Sequence, residues 1–315
     1  MDNKIICVVG PTASGKTSLA IDIAKNINGE IICADSMQIY KYLDIGTAKP
    51  TKEERLEVKH HLCDFVEPLE DFSVARYVEL AGETISDIKS RGKVPIIAGG
   101  TGLYIDSLIK GNDFAKNDDS NEEIRKELYD LAEKNGVDYV FEILRNEDIE
   151  SYNRLHKNDL KRVIRAIEVK KITGKTISEH NIETKKIPPK YNALMIGINP
   201  VDRQVLYNRI DKRVLEMMDL GLIDELKMLI SNNYLTKTAS QAIGYKELLG
   251  YIEDTETLGV CIEKIQQESR RYAKRQITWF KRNEKIHWLT DILDKEKLLF
   301  DALNIIREEF YGENL

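Results

Sequence analysis

The sequence predicts an α/β fold: a parallel sheet flanked by helices, interrupted by a mostly helical insertion. Three observations lead there. Short apolar runs rich in β-branched residues recur at 4–9, 30–34, 94–98 and 193–198, and unbroken apolar runs suit strands buried on both faces of a parallel sheet. The first run leads directly into a glycine loop and then a helical pattern, the order of a strand–loop–helix unit. Between about 118 and 183 the chain is highly charged and helical in pattern, with no buried-strand run.

In chain order, Lys4 to Val9 is the first strand, and Gly10-Pro-Thr-Ala-Ser-Gly-Lys-Thr17 matches GxxxxGK[ST]. The helix after it places Leu19, Ala20, Ile23 and Ile27 on one face. In such a loop Gly10 and Gly15 let the backbone wrap an anion, with Pro11, Thr12, Ala13 and Ser14 forming the rest of the turn. The helix N-terminus adds partial positive charge. Lys16 puts a full charge on the phosphates, and the Thr17 hydroxyl is offered to a bound Mg²⁺. The expected core is thus a P-loop-type sheet that binds a phosphate or diphosphate as nucleotide-binding and ATP-binding proteins do. The motif alone identifies neither the ligand nor the reaction.

The second strand, 30–34, ends in Asp35-Ser36-Met37-Gln38. Carboxyl ends of strands carry the chemistry in doubly wound sheets, so Asp35 is placed on the same sheet edge as the glycine loop. There it serves as a general base or metal ligand, or caps the following segment. Residues 44–50 read as a turn-rich loop able to cover the site. His60 and His61 are neighbours that share no helix face, which favours a structural role over a metal pair. Ser73 opens a helix closed by Arg91-Gly92, and the strand at 94–98 runs into Gly99-Gly-Thr-Gly-Leu-Tyr104, a second glycine turn that brings Thr101 to the same edge.

The expected division is 1–113 with 190–315 as the core and 114–189 as the insertion. Amphipathic patterns at 202–220, 223–230, 241–251 and 257–285 complete the core. The 315 residues carry 47 Lys or Arg against 53 Asp or Glu, a net charge of −6. That balance alone argues against a nucleic-acid partner, but local patches decide such binding. Two patches exist. Residues 157–175 include Lys157, Lys161, Arg162, Arg165, Lys170, Lys171 and Lys175 against Asp159 and Glu168. Residues 264–285 include Lys274 and Arg275, with Tyr272, Trp279 and Phe280 interleaved and read as core. Four scattered cysteines fit buried, reduced thiols. No apolar run approaches the roughly 20 residues of a membrane span, and no export signal is evident, so a cytoplasmic protein is expected.

The ordered set GPTASGKT, DSMQIY, DIGTAKP, HHL, GGTGLY, NDLKRVIRAIEV, QAIGYKE and AKRQITWFKR resembles the tRNA dimethylallyltransferase family from residue 10 to about 290. The resemblance implies transfer of a dimethylallyl group from dimethylallyl diphosphate to N6 of adenine 37 in tRNA, by a monomer using Mg²⁺. It implies Asp35 as general base, Thr101 lining the reaction channel, and Arg213 reaching the diphosphate opposite Lys16. It also implies tRNA contacts at Asp35, Ser36, Met37, Gln38 and Thr101, at Arg125, Lys161, Arg162 and Arg165, at Gln241, Gly244, Tyr245 and Lys246, and at Lys274 and Arg275. The helical insertion is expected to close on the RNA stem-loop. Three other functions fit parts of the same sequence: prenylation of free adenine nucleotides, a small-molecule kinase, and a nucleotide-gated RNA-binding protein. The basic patches favour tRNA over free nucleotides.

Overall fold

The computed structural model describes residues 3–111, 122–179, 182 and 188–312. The chain forms two compact units, Met1–Gly111 with Lys190–Leu315, and Asn112–Pro189.

The first unit begins β1 (Lys4–Val9), α1 (Lys16–Ile27), β2 (Gly29–Cys33), α2 (Lys52–Glu57), β3 (His60–His61), α3 (Val74–Ser90), β4 (Val94–Gly99) and α4 (Gly102–Lys110). The second unit holds α5 (Glu122–Asn135), α6 (Val137–Glu147), α7 (Ile149–Arg154) and α8 (Leu160–Thr173). The first unit resumes with β5 (Asn192–Ile198), α9 (Arg203–Asp219), α10 (Leu222–Ser231), α11 (Tyr245–Ile252), α12 (Leu258–Phe280), β6 (Ile286–Leu289) and α13 (Lys295–Ile305). Its six strands lie in the order β3-β2-β4-β1-β5-β6, every neighbour parallel.

Burial explains the strands. Ile5 to Val9 are buried on both faces, as are Ile96 and Ile97 of β4. Ile6, Val8, Ile31, Ile96 and Ile196 pack with Leu19 and Ile23 of α1 and Leu298 of α13. A second cluster joins Ile39 and Leu43 to Leu222, Leu226, Tyr245, Leu248 and Ile265 of α10 to α12. The second unit has its own core of Leu128, Val140, Leu144, Val163, Ile164 and Ile167.

Ser73 caps α3 as its position predicts, its hydroxyl accepting the Arg76 N–H at 3.1 Å. Two expected helices are shorter than their patterns. The helix expected over 241–251 starts at Tyr245, after a 3₁₀ turn and Gly244 at φ 112°. The pattern over 257–285 stops at Phe280, and Ile286–Leu289 leaves the helix to pair with β5. Its four residues are too few for periodicity to reveal.

Candidate active site

Register brings the site together. Val9 of β1 stands beside Gly99 of β4, and Cys33 of β2 beside Ala98. The residues that follow these three strands therefore leave the sheet at one edge. Ala34 accepts the Thr101 N–H at 3.1 Å. A Cβ on Gly99 would lie 2.1 Å from the Ala34 carbonyl oxygen, so only glycine allows this approach.

The Gly10–Thr17 loop closes on itself with Ala13 at φ 61° and Gly15 at φ 94°, a left-handed alternation that turns backbone N–H groups inward. Gly15 gives α1 no side-chain cap, leaving its first N–H groups to an anion. Ser14 Oγ is buried without a hydrogen-bond partner, an orphan donor that a phosphate oxygen satisfies. Burial lowers Lys16 to about 8, with Asp35 opposing the fall and Arg213 adding to it. Burial likewise lowers Arg213, again opposed by Asp35. Three of the expected charges thus sense one another. A cavity of about 350 Å³ is lined by Ala13, Gly15, Lys16, Thr17, Arg209, Lys212, Arg213 and Glu216. Among the described residues no group of three His, Cys, Asp or Glu side chains is arranged to hold a metal. The Thr17 hydroxyl at this rim therefore suits an ion that draws its other ligands from a diphosphate and water, as Mg²⁺ does.

Asp35 is half-buried, and its Oδ1 accepts the Met37 N–H at 2.9 Å and the Gln38 N–H at 3.4 Å. This turn leaves Oδ2 uncommitted among the hydrogen bonds described. Thr101 Oγ1 accepts the Ser36 N–H at 3.1 Å, tying the GGTG turn to the segment after β2. Gln38 Nε2 donates to the carbonyls of Thr47 and Ala48, both at 3.0 Å. The 44–50 loop is held from beneath. Glu225 accepts the N–H groups of Asp44, Ile45 and Gly46 at 2.8–3.0 Å. Buried Lys49 donates to the Tyr40 carbonyl at 2.7 Å and Asp64 at 2.8 Å. The loop lines a second cavity of about 370 Å³, together with Thr17 and Arg213.

Several site residues escaped the sequence. Gln276 of α12, 4% exposed, accepts the Thr12 N–H at 2.8 Å and donates to the Gly100 carbonyl at 3.1 Å. One amide thus clips the two glycine loops together. Thr12 was expected to bind diphosphate; its N–H is committed to this clip, leaving its hydroxyl. Tyr272, one turn earlier on α12, lies near enough to Thr101, Gln276 and Asp35 for its phenol to sense them, and burial first, then the Asp35 charge, raises its pKa. Tyr272 is half-buried and thus borders the site as well as the core. Arg209, one turn before Arg213, lines the anion cavity. The four-residue spacings Tyr272–Gln276 and Arg209–Arg213 were available signals; nothing local marks Glu225.

The expected tRNA contacts differ in exposure. Lys161, Arg162, Gln241, Lys246, Lys274 and Arg275 are exposed. Tyr245 is not: it is wholly buried, its hydroxyl donates to Glu225 at 2.8 Å, and a Cβ on Gly46 would lie 2.6 Å from its ring. Its place is the core, and no surface remains for RNA. Gly244 is also buried, donating its N–H to Glu247 at 2.8 Å as the start of α11. The two histidines are structural. His60 Nδ1 donates to the Val58 carbonyl at 2.7 Å, and His61 Nε2 lies 2.7 Å from Glu30. Cys7, Cys33 and Cys261 are buried, Cys63 is half-buried, and all four are free thiols.

Fold and site define an α/β enzyme whose glycine loop offers an uncapped helix start, an unpartnered hydroxyl and Lys16 to a cavity that Thr17 and Arg213 also line. The family model described as IPP transferase matches residues 38–283. A tRNA dimethylallyltransferase of Acetivibrio thermocellus is 48% identical over 305 residues, 96% of each chain. One from a Thermoanaerobacter species is 50% identical over 287 residues, 90% of this chain and 91% of its own. Among solved structures, the full-length tRNA isopentenylpyrophosphate transferase of Bacillus halodurans superimposes with a TM-score of 0.73 at 39% identity, covering 99% of this chain and 98% of that one. A eukaryotic dimethylallyltransferase acting on tRNA reaches 0.85 at 31% identity, covering 98% of this chain and 79% of its own. The chain belongs to the tRNA dimethylallyltransferase (IPP transferase) family. No helix among the described residues is long and apolar enough to cross a membrane.

Proposed function

We propose that this chain transfers the dimethylallyl group of dimethylallyl diphosphate to N6 of adenine 37 in the anticodon loop of tRNA. The observation that carries the reading is the meeting of an anion cradle, Lys16 and Arg213 with one carboxylate, Asp35, whose charge both cations sense.

The adenine amine is a weak nucleophile because its lone pair is delocalised into the ring. As it attacks the allylic carbon, the carbon–oxygen bond to diphosphate breaks and an N6 proton must leave. Asp35 takes that proton, a role worth about 10²–10⁴-fold in rate. The diphosphate departs with more negative charge than it carried as an ester. Lys16, Arg213, the Ser14 and Thr12 hydroxyls and the loop N–H groups hold that charge as it develops. Thr17 is the side chain that would hold Mg²⁺, which supplies neutralising charge to the diphosphate when bound. Thr101, fixed by the Ser36 N–H, borders the path of the base, which leaves its stack more easily in a loop than in a duplex. Ser36, Met37 and Gln38 lie beside that path. Lys161, Arg162, Gln241, Lys246, Lys274 and Arg275 supply phosphate contacts. The enzyme acts as a cytoplasmic monomer.

The test is mass analysis of nucleosides from unmodified tRNA after incubation with the protein, dimethylallyl diphosphate and Mg²⁺. A gain of one dimethylallyl group on adenosine is expected. Prenylation of AMP with none of tRNA, or transfer of phosphate from ATP to a hydroxyl, overturns the reading.

A further inference from the structure

Within the second unit, Glu168 of α8 is 0% exposed, yet its side chain is a carboxylate. Its Oε2 accepts from Arg165 Nη1 at 2.7 Å. Its Oε1 lies 2.8 Å from Arg125 Nε of α5, an ionic contact without hydrogen-bond alignment. The two arginine side chains remain 40% exposed. One acid, wholly removed from water, therefore holds two guanidinium groups that both reach solvent.

Stability alone does not explain this arrangement. Glu168 follows Ile167 and comes one turn after Ile164 on α8, both members of the unit's apolar cluster, and is as fully buried as they are. Replacing a buried ion triad by apolar side chains is often neutral or stabilising. What the carboxylate does supply is direction. Each guanidinium has five N–H donors in a fixed plane, and Glu168 engages each through one nitrogen, leaving the others available. The triad keeps a net positive charge, and exposed Lys161 stands one turn before Arg165 on the same helix.

We propose that Glu168 is a positioning residue for RNA: it presets Arg125 and Arg165 as one rigid fork that takes a backbone phosphate of the tRNA. This rests on the reading that RNA docks on this unit. Planar, preset arginine pairs suit bidentate phosphate binding and lose less side-chain freedom on contact.

Charge and positioning predict opposite results for Glu168→Gln in the full chain. Removing a negative charge alone would tighten RNA binding. Losing the preset fork weakens it, by about 5- to 20-fold in anticodon stem-loop affinity. The KM for tRNA should rise to match, while kcat and the KM for dimethylallyl diphosphate stay unchanged. Arg125→Ala and Arg165→Ala are measured alongside and should each weaken stem-loop binding. If neither does, the docking reading fails and takes the proposal with it. If both do, yet Glu168→Gln binds RNA as well as or better than the unaltered chain, the proposal alone is overturned, and Glu168 merely joins α5 to α8. Should Glu168→Gln not fold, Arg125→Lys and Arg165→Lys decide. Both keep the charge and lose the fork, so affinity should fall nearly as far as with alanine, and unchanged affinity overturns the proposal.

Discussion

Lys16 is half-buried beside an acid and a second cation, and the balance leaves its ammonium less stable than in water. Its pKa, lowered to about 8, has two consequences of opposite sign. The cradle needs the charged form to hold diphosphate. In the free protein that form is lost as pH rises through about 8, so kcat/KM for the donor should decline above that pH. Bound diphosphate restores the charge, so kcat at saturating donor should decline at higher pH than kcat/KM does. For folding, the unfolded chain binds the extra proton between about 8 and the ordinary 10.5, so the Lys16 contribution to stability rises with pH across that window. Initial-rate profiles and melting curves from pH 7 to 10 separate the two. On the proposed mechanism Asp35 has two tasks, since one oxygen organises the turn and the other is left to take the proton. Asp35→Asn keeps an acceptor for the Met37 and Gln38 N–H groups and removes the base. Its kcat should fall about 10²–10⁴-fold, with tRNA affinity within a few-fold and the melting temperature unchanged. A kcat close to that of the unaltered enzyme would remove Asp35 from proton transfer.

Among the elements, α12 organises the site without touching the reacting atoms through its backbone. Its inward face carries Tyr272, Gln276 and Trp279, and the GGTG turn is cut to fit them. A Cβ on Gly100 would lie 2.1 Å from Gln276 Nε2, and one on Gly102 would lie 2.2 Å from Trp279 Cδ1. Trp279 Nε1 donates to Asp106 of α4 at 2.9 Å, anchoring the same contact. Gly100→Ala should therefore displace the amide that clips the two loops. We expect a stability loss of about 1–3 kcal/mol together with a raised KM for the donor; calorimetry and initial rates measure the two. This packing also marks where the sequence was legible. The strands at 4–9, 94–98 and 193–198 could be read because burial on both faces leaves a continuous apolar run. The P-loop, Asp35 and Thr101 could be read because each follows a strand at its carboxyl end. Gln276 and Glu225 could not, because their partners lie 264 and about 180 residues away in the chain. β3 and β6 are edge strands of two and four residues, shorter than any pattern that identifies a strand. Tyr245 was misplaced for a related reason: its motif carries family identity, and a buried hydroxyl bonded to Glu225 supports the 44–50 loop from inside rather than meeting a ligand.

Across the whole molecule, charge does separate work in different places. Glu30, buried near the start of β2, is ringed by Arg91, Lys93 and His61, which hold its carboxyl far below the ordinary range, Arg91 contributing most. A depressed carboxylate stabilises the fold above its unfolded pKa of 4.5, and that contribution is lost as pH falls below it. Glu30→Gln should lower the melting temperature at pH 7 and flatten its decline between pH 5 and about 3. An unchanged acid limb would remove this cluster from the acid sensitivity of the protein.

The chain leaves the first unit at Gly111 and returns at Lys190, and these two residues touch: a Cβ on Gly111 would lie 2.6 Å from the Lys190 Cβ. Tyr191 donates its N–H to the Ile109 carbonyl at 3.2 Å, closing the gap beside them. The excursion from 112 to 189 thus passes out and back through a single doorway. A short glycine bridge across that doorway should spare every strand pairing and the pyrophosphate cradle. The trimmed protein should still take up inorganic pyrophosphate in calorimetry while its grip on the anticodon arm is lost. Such a cut-and-join architecture lets the helical excursion be exchanged as a cassette while the six-stranded half stays as it is.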